Sequence, residues 1–293
     1  MTRGERQHLK NGLLFTAPGI IGLLVFAIYP VLASFFYSFC NYNVLTPPKW
    51  IGAGNYQVLL HDSQLKVALQ NTAIFALMSI PLGVATAFFL AVLLNQKVRG
   101  MPIFRTIFYL PSVMPSVAGA VLWLWILNPQ YGLLNTALAS VGITGPGWLA
   151  DPAWSKPALA LMSAWGVGGW MVIFLAGLQD VPLELQEAAR LDGASPVQVW
   201  RHVTLPFMSP HLLFATVMGV IGVSSYFAQP MVMTGGGPAD STLLFAQYLF
   251  QNAFQYFKMG YACALAWVMA VVLIGLTYLI FRGSARHVHY SGE

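Results

Sequence analysis

Six apolar runs, each about as long as a helix needs to cross a bilayer, constrain this chain more than any other feature. They cover residues 13–39, 73–94, 107–127, 158–178, 209–229 and 260–281, and none contains Asp, Glu, Lys or Arg. In hydrocarbon a backbone must satisfy its own N–H and C=O groups, so such runs become helices. Only 8% of the 293 residues are charged and 57% are hydrophobic, where a soluble domain carries roughly 25% charge. The expected fold class is all-α: a polytopic membrane protein of six transmembrane helices, with residues 1–293 forming one transmembrane domain and no soluble domain of comparable size. The lipid bilayer is its solvent. The length of the first run, and the lack of a small-residue cleavage pattern, favour a retained helix over a signal peptide. Pro18 and Pro30 should bend or frame that run, and Pro111 and Pro115 stand near the start of the third. Cys40 and Cys263 suggest neither a disulfide framework nor a metal site. A clustered basic face for nucleic acid is absent.

Orientation follows from lysine and arginine. One set of segments holds Arg3, Arg6, Lys10, Lys97, Arg99, Arg105, Arg190, Arg201, Arg282 and Arg286; the other holds Lys49, Lys66, Lys156 and Lys258. The richer set belongs in the cytoplasm, which puts both termini there, together with the segment between the fourth and fifth runs.

That segment, residues 180–206, reads DVPLELQEAARLDGASPVQVWRHVTLP and holds four of the nine acidic residues: Asp180, Glu184, Glu187 and Asp192. Its pattern predicts two short helices joined at a turn. Asp180 is the expected N-cap of the first, with Pro182 early in it. Gly193 stops that helix, and Ser195-Pro196 starts the second. Val199, Trp200 and Val203 give the second helix an apolar face, and Pro206 should forbid a smooth continuation into the fifth run. A helix-turn-helix at a membrane face is a knob shaped for another protein to grip.

Glu187-Ala188-Ala189, then Gly193 four residues on, then Leu205-Pro206 closing Val203-Thr204-Leu205-Pro206, resembles the EAA loop of binding-protein-dependent ABC importer permeases. Val203 stands where that pattern has Ile. The GAGNY segment at 52–56, the Thr234–Pro238 loop and the six-run layout are similar to the carbohydrate-uptake branch of the same family. The resemblance implies the type I ABC importer permease fold in a bacterial or archaeal cytoplasmic membrane. It implies as partners a second permease subunit, a dimer of ATPase subunits and an extracytoplasmic solute-binding protein. It makes the chain a non-catalytic subunit that binds no cofactor, with ATP and Mg on the partner ATPase. The coupling residues carried over are Glu187, Ala188, Ala189, Arg190, Asp192, Gly193, Leu205 and Pro206.

The residues themselves point the same way. Proton-coupled carriers place carboxylates or histidines within the bilayer, and here His211, close to the start of the fifth run, is the only near-exception. The chain has no Walker phosphate loop, no HExxH and no GxSxG. A pathway without its own energy chemistry needs a partner that supplies it. A secondary carrier or channel for a small polar solute is the alternative, and it leaves the 180–206 motif unexplained. Gly235-Gly236-Gly237 reads as a flexible re-entrant or gate segment rather than a phosphate cradle.

The fourth and fifth runs flank the loop, so candidate pathway residues are sought there: Ser163, Gly166, Trp170, Ser225, Tyr226 and Gln229. Sugars need hydroxyl-matching donors and acceptors plus aromatic faces, which these residues have. Small residues at helical spacing also pack helices together, and membrane Trp and Tyr also mark interfaces. The resemblance equally allows the solute to touch mainly the other permease.

Overall fold

A computed structural model of the chain describes residues 3–284. Arg286 and the end of the C-terminal tail, counted above among the cytoplasmic cations, lie outside the described residues. In chain order the elements are α1 (Arg3–Leu23), a π-helical turn at Leu24–Ile28, α2 (Tyr29–Ser38), β1 (Cys40–Asn41), β2 (Lys49–Trp50), α3 (Gly54–His61) and α4 (Ser63–Leu94). Then come α5 (Met101–Val113), α6 (Ser116–Ile126), α7 (Leu133–Ser140), α8 (Pro152–Trp165) and α9 (Gly168–Gln179). The 180–206 segment supplies α10 (Leu183–Leu191), α11 (Pro196–Val199), a π turn at Trp200–Thr204 and α12 (Leu205–Phe207). The chain continues with α13 (Ser209–Ser224), α14 (Ala228–Met233), α15 (Phe245–Phe250), a third π turn at Gln251–Gln255 and α16 (Met259–Ser284).

Three stretches are straight enough, long enough and apolar enough to cross a membrane: Lys10–Ser38, Ser63–Leu94 and Met259–Ser284. The other three runs appear as bent pairs: α5 with α6 at 100°, α8 with α9 at 51°, and Pro196–Phe207 with α13 at 57°. Proline explains the sharpest break. Pro115 cannot donate to the ladder and pushes the residue before it out of the helical region; Met114 accordingly sits at φ −68°, ψ 135°. Two π turns have a related cause. Leu24–Ile28 ends two residues before Pro30, and Trp200–Thr204 ends two residues before Pro206. A widened turn lets the chain pass the missing N–H and stay helical.

Several sequence expectations are corrected here. The expected break before the fifth run is present but displaced: the helix runs past Pro206 and bends by 57° at Met208, just ahead of Pro210. Asp180 does not cap α10. It is the C-cap residue of α9, while Pro182 occupies the N-cap position of α10 without a side-chain bond. The long segment at 128–156 contains helix α7, and helices overrun the apolar runs, so that Lys66, Arg105, Lys156 and Arg282 all lie on helical turns.

The chain divides into two compact units, Met1–Asp62 with Leu249–Ala270, and Ser63–Tyr248 with Val271–Glu293. In the first, β1 and β2 pair antiparallel, Cys40 opposite Trp50. The GAGNY segment has a structural task there. Gly52 takes φ +60°, and the buried Asn55 amide donates to the carbonyls of Ser38 and Cys40, both at 2.9 Å. Tyr56 shares a 2.8 Å hydrogen bond with Ser38 Oγ. The same unit brings α16 against the chain after α2. The Gly260 N–H donates to Tyr42 O at 3.0 Å, Trp267 Nε1 donates to Ser34 Oγ at 3.2 Å, and Tyr261 donates to the Asp62 carboxylate. No residue of the most apolar window of Lys10–Ser38 is buried.

The second unit is built on α4, which packs against α8, α9 and α13. Its buried face carries Gly83, Ala87 and Ala91 four apart, the spacing that lets membrane helices approach closely where lipid gives no hydrophobic drive. Met171, Phe174 and Met208 are fully buried against this strip. Many large apolar side chains elsewhere are exposed, Phe15 at 85% and Phe26 at 82% among them. That is ordinary for a surface whose solvent is hydrocarbon.

Candidate functional site: a membrane cavity and an exposed helical knob

The second unit holds a cavity of about 280 Å³ among α4, α5, α8, α9 and α13. Of the sequence candidates, Ser163, Gly166, Trp170 and Tyr226 line it. An adjoining cavity of about 240 Å³ shares Ser163, Gly166 and Tyr226 and adds Gln229. Ser225 lines neither one. The candidates from two separate runs therefore meet at one place, with Tyr226 in the wall common to both spaces.

The sequence reading missed the α4 wall, where Phe75, Ser79 and Gly83 repeat every fourth residue and face the larger cavity. A polar residue between an aromatic and a glycine at this spacing was the available signal. Phe75 stacks on Tyr226 with ring centroids 5.1 Å apart. Trp170 is seated on two glycines: a Cβ at Gly83 or at Gly219 would come within 3.2 Å of its ring. Two hydroxyls of the cavity, Ser79 Oγ and Tyr226 Oη, are buried without a hydrogen-bond partner. Buried polar atoms are nearly always paired, so two orphans around one cavity call for an external partner. Two helix breaks also reach these spaces. Met114, Pro115 and Ser116 line the smaller one, and Gly166 lines both. Helix ends carry backbone donors and acceptors with no partner inside the helix.

The 180–206 segment forms the expected helix-turn-helix. Gly193 takes φ +84°. The Ala194 N–H bonds Ala189 O and the Gly193 N–H bonds Arg190 O, both at 3.0 Å, the paired closure that ends a helix with a left-handed residue. Ser195 and Gln198 then form a reciprocal capping box, with Ser195 N–H donating to Gln198 Oε1 at 2.7 Å. Such a cap contributes about 1 kcal/mol. Glu187, Ala188, Arg190, Asp192 and Gly193 are exposed, Ala189 half-buried, and Leu205 and Pro206 half-buried in α12. Exposed with them are Leu183, Leu185, Val197 and, at 88%, Leu191. The anchoring side of the knob is Val199, which is buried, and Trp200, whose ring lies 6.1 Å from that of Phe88 on α4.

The glycine-rich loop after α14, which the sequence suggested is a flexible re-entrant or gate segment, is hydrogen-bonded at several points. Thr234 Oγ1 shares a 2.6 Å bond with Thr242 Oγ1, which also bonds Gly237 O at 2.8 Å. Asn71 Nδ2 donates to Asp240 O at 2.6 Å, and Lys156 Nζ donates to Ser241 O at 2.8 Å and to Asn71 Oδ1 at 3.1 Å. Side chains of α4 and α8 fasten it.

Residues 65–289 match the family described as binding-protein-dependent transport system inner membrane component. The probable ABC transporter permease protein YesP of Bacillus subtilis (strain 168) is 40% identical over 100% of this chain and 96% of its own length. The lactose transport system permease protein LacF of Rhizobium radiobacter is 34% identical, covering 94% of this chain and 95% of its own. The fold superposes on a chain of a bacterial ABC transporter involved in import of the acidic polysaccharide alginate, with a TM-score of 0.82, 24% identity, and coverage of 97% of this chain and 99% of that one. With the helical knob, the broken spans and a family match across most of its length, this chain belongs to the inner-membrane components of binding-protein-dependent transport systems, as a permease of the type I ABC importer fold.

Proposed function

We propose that this chain is a permease subunit of an ATP-driven importer for a sugar or sugar-like solute, delivered by an extracytoplasmic binding protein. The observation that carries the reading is the cavity wall, in which two unpartnered hydroxyls stand beside the aromatic faces of Trp170 and Phe75. That is the chemistry a sugar offers partners to. The lactose permease relative supports the same solute class.

The 180–206 segment is the proposed coupling element, gripped by one member of an ATPase dimer that binds ATP and Mg, while this chain binds no cofactor. Its exposed Leu183, Leu185, Leu191 and Val197 support that role. So does its covalent position. α9 leads into the knob and carries Trp170, about 14 Å up the helix by its rise per residue. α13 leaves the knob and carries Gly219 and Gly222 of the cavity wall. A displacement of the knob therefore reaches both walls through rigid helices. A second permease subunit completes the pathway.

Two experiments test this reading. Complexes reconstituted with the partner permease, ATPases and binding protein should take up solute only with ATP, and keep doing so under a protonophore. Uptake driven by a proton or sodium gradient in ATP-free vesicles would instead establish a secondary carrier. Orientation is checked by cysteine labelling in a variant lacking Cys40 and Cys263. A cysteine at the exposed Thr144 should react with an impermeant thiol reagent from outside, and one at Val197 only from inside. The reverse pattern would put the knob on the wrong side for an ATPase.

A further inference from the structure

We infer that the cavity admits only uncharged solutes, so that the substrate is a neutral polyol or glycoside and not a uronic, phosphorylated or sulfonated sugar. The inference rests on the reading of this cavity as part of an import pathway and narrows it.

Three observations carry it. First, among the described residues no Asp, Glu, Lys, Arg or His lines either of the adjoining cavities; the hydroxyl and amide side chains are Ser79, Ser112, Ser116, Ser163, Tyr226 and Gln229. An anion entering such a space would lose its hydration with no opposite charge to replace it, whereas a hydroxyl needs only a hydrogen bond. Second, Lys156 of α8 and Arg105 of α5 are engaged elsewhere, and Lys66 of α4 is exposed outside both cavities. Lys156 Nζ bonds Asn71 and the Ser241 carbonyl, and Arg105 bonds the Leu94 carbonyl at 2.9 Å and 3.3 Å. Neither lines the space. Third, the groups left unpaired suit a hydroxyl. Ser79 Oγ and Tyr226 Oη each donate and accept. At the break between α5 and α6 the carbonyl end of one helix meets the N–H end of the next. Opposed partial charges of this kind cancel at a distance and leave nearby donors and acceptors, a poor anion site and a good polyol site.

The test is equilibrium binding to the detergent-purified permease complex without its binding protein, read by saturation-transfer NMR. The probes are matched pairs, lactose with lactobionate and trehalose with trehalose 6-phosphate. At least one neutral member should bind, its acidic counterpart should give less than about a tenth of the signal, and Ser79→Ala or Tyr226→Phe should weaken the neutral sugar roughly tenfold, as loss of one hydrogen bond does. An acidic probe that binds as well as its neutral partner, and is weakened by the same substitutions, would overturn the charge selection and leave the cavity as the solute site. Binding of no probe, or binding indifferent to both substitutions, would overturn the inference at this cavity, while the ATP-dependence of uptake decides the importer reading separately.

Discussion

Gly193→Pro and Glu187→Lys are each expected to abolish ATP-driven uptake while the permease still accumulates in the membrane. Gly193 holds φ +84° and its N–H closes α10 onto Arg190 O. Proline fixes φ near −65° and has no N–H, so it removes both the angle and the bond. The second helix would then leave α10 in another direction, and the knob would no longer match a cleft. Glu187→Lys acts differently. It keeps the shape and reverses a charge in the proposed ATPase interface, which costs about 2–5 kcal/mol of association. Gly193→Asn is the control, because asparagine tolerates the left-handed region; it should keep most of the activity. The measurements are co-purification of ATPase with the permease and solute-stimulated ATP hydrolysis. Stoichiometric ATPase and full uptake in both disruptive variants would show that the knob does not couple the two.

The second large effect is on folding. Gly260→Val should prevent recovery of folded permease, because a Cβ at Gly260 would overlap the Cys40 carbonyl oxygen and lie 3.2 Å from Tyr37 O. Both obstacles are backbone, and the Gly260 N–H is itself bonded to Tyr42 O. Neither side can give way without separating the strands from α16, so the cost lies at or beyond the upper end of the about 1–3 kcal/mol typical of overpacking. Gly275→Val on the same helix meets nothing within 4 Å and should be neutral. Size-exclusion profiles and thermal midpoints in detergent would decide it. A monodisperse Gly260→Val protein with an unchanged midpoint would contradict the close approach.

The sequence exposed those features whose causes are local. Lipid alone dictates the six runs, and Gly193 with Ser195 and Gln198 spells out the turn of the knob in adjacent residues. Asp180 misled because a good capping residue can equally end the helix before it. Pro206 marked the bend but not its place, because a π turn carries the helix past that proline and the break falls at Met208. The cavity was half legible. Ser163, Trp170 and Tyr226 were found beside the loop, whereas Phe75 and Ser79 face them from a helix that nothing in the linear pattern links to the fourth and fifth runs. Asn55, Gly260 and Lys156 were silent for the same reason, since each acts on backbone distant in sequence.

The make-up of the first unit also bears on how the chain is made. Its N-terminal portion, through Asp62, finds its partners in Leu249–Ala270. During synthesis the first span must enter the bilayer long before the last span is made, and its apolar window stays uncovered by the chain even afterwards. Clasps such as Trp267 on Ser34 and Gly260 against Cys40 close only when translation is nearly done, and contacts so far apart along a chain are slow to form. Until then the first span is held by lipid and by its local contacts with the strands and α3, such as Tyr56 on Ser38, and a ribosome that stalls before Leu249 leaves behind a protein whose opening helix has been inserted but never clasped by the last span.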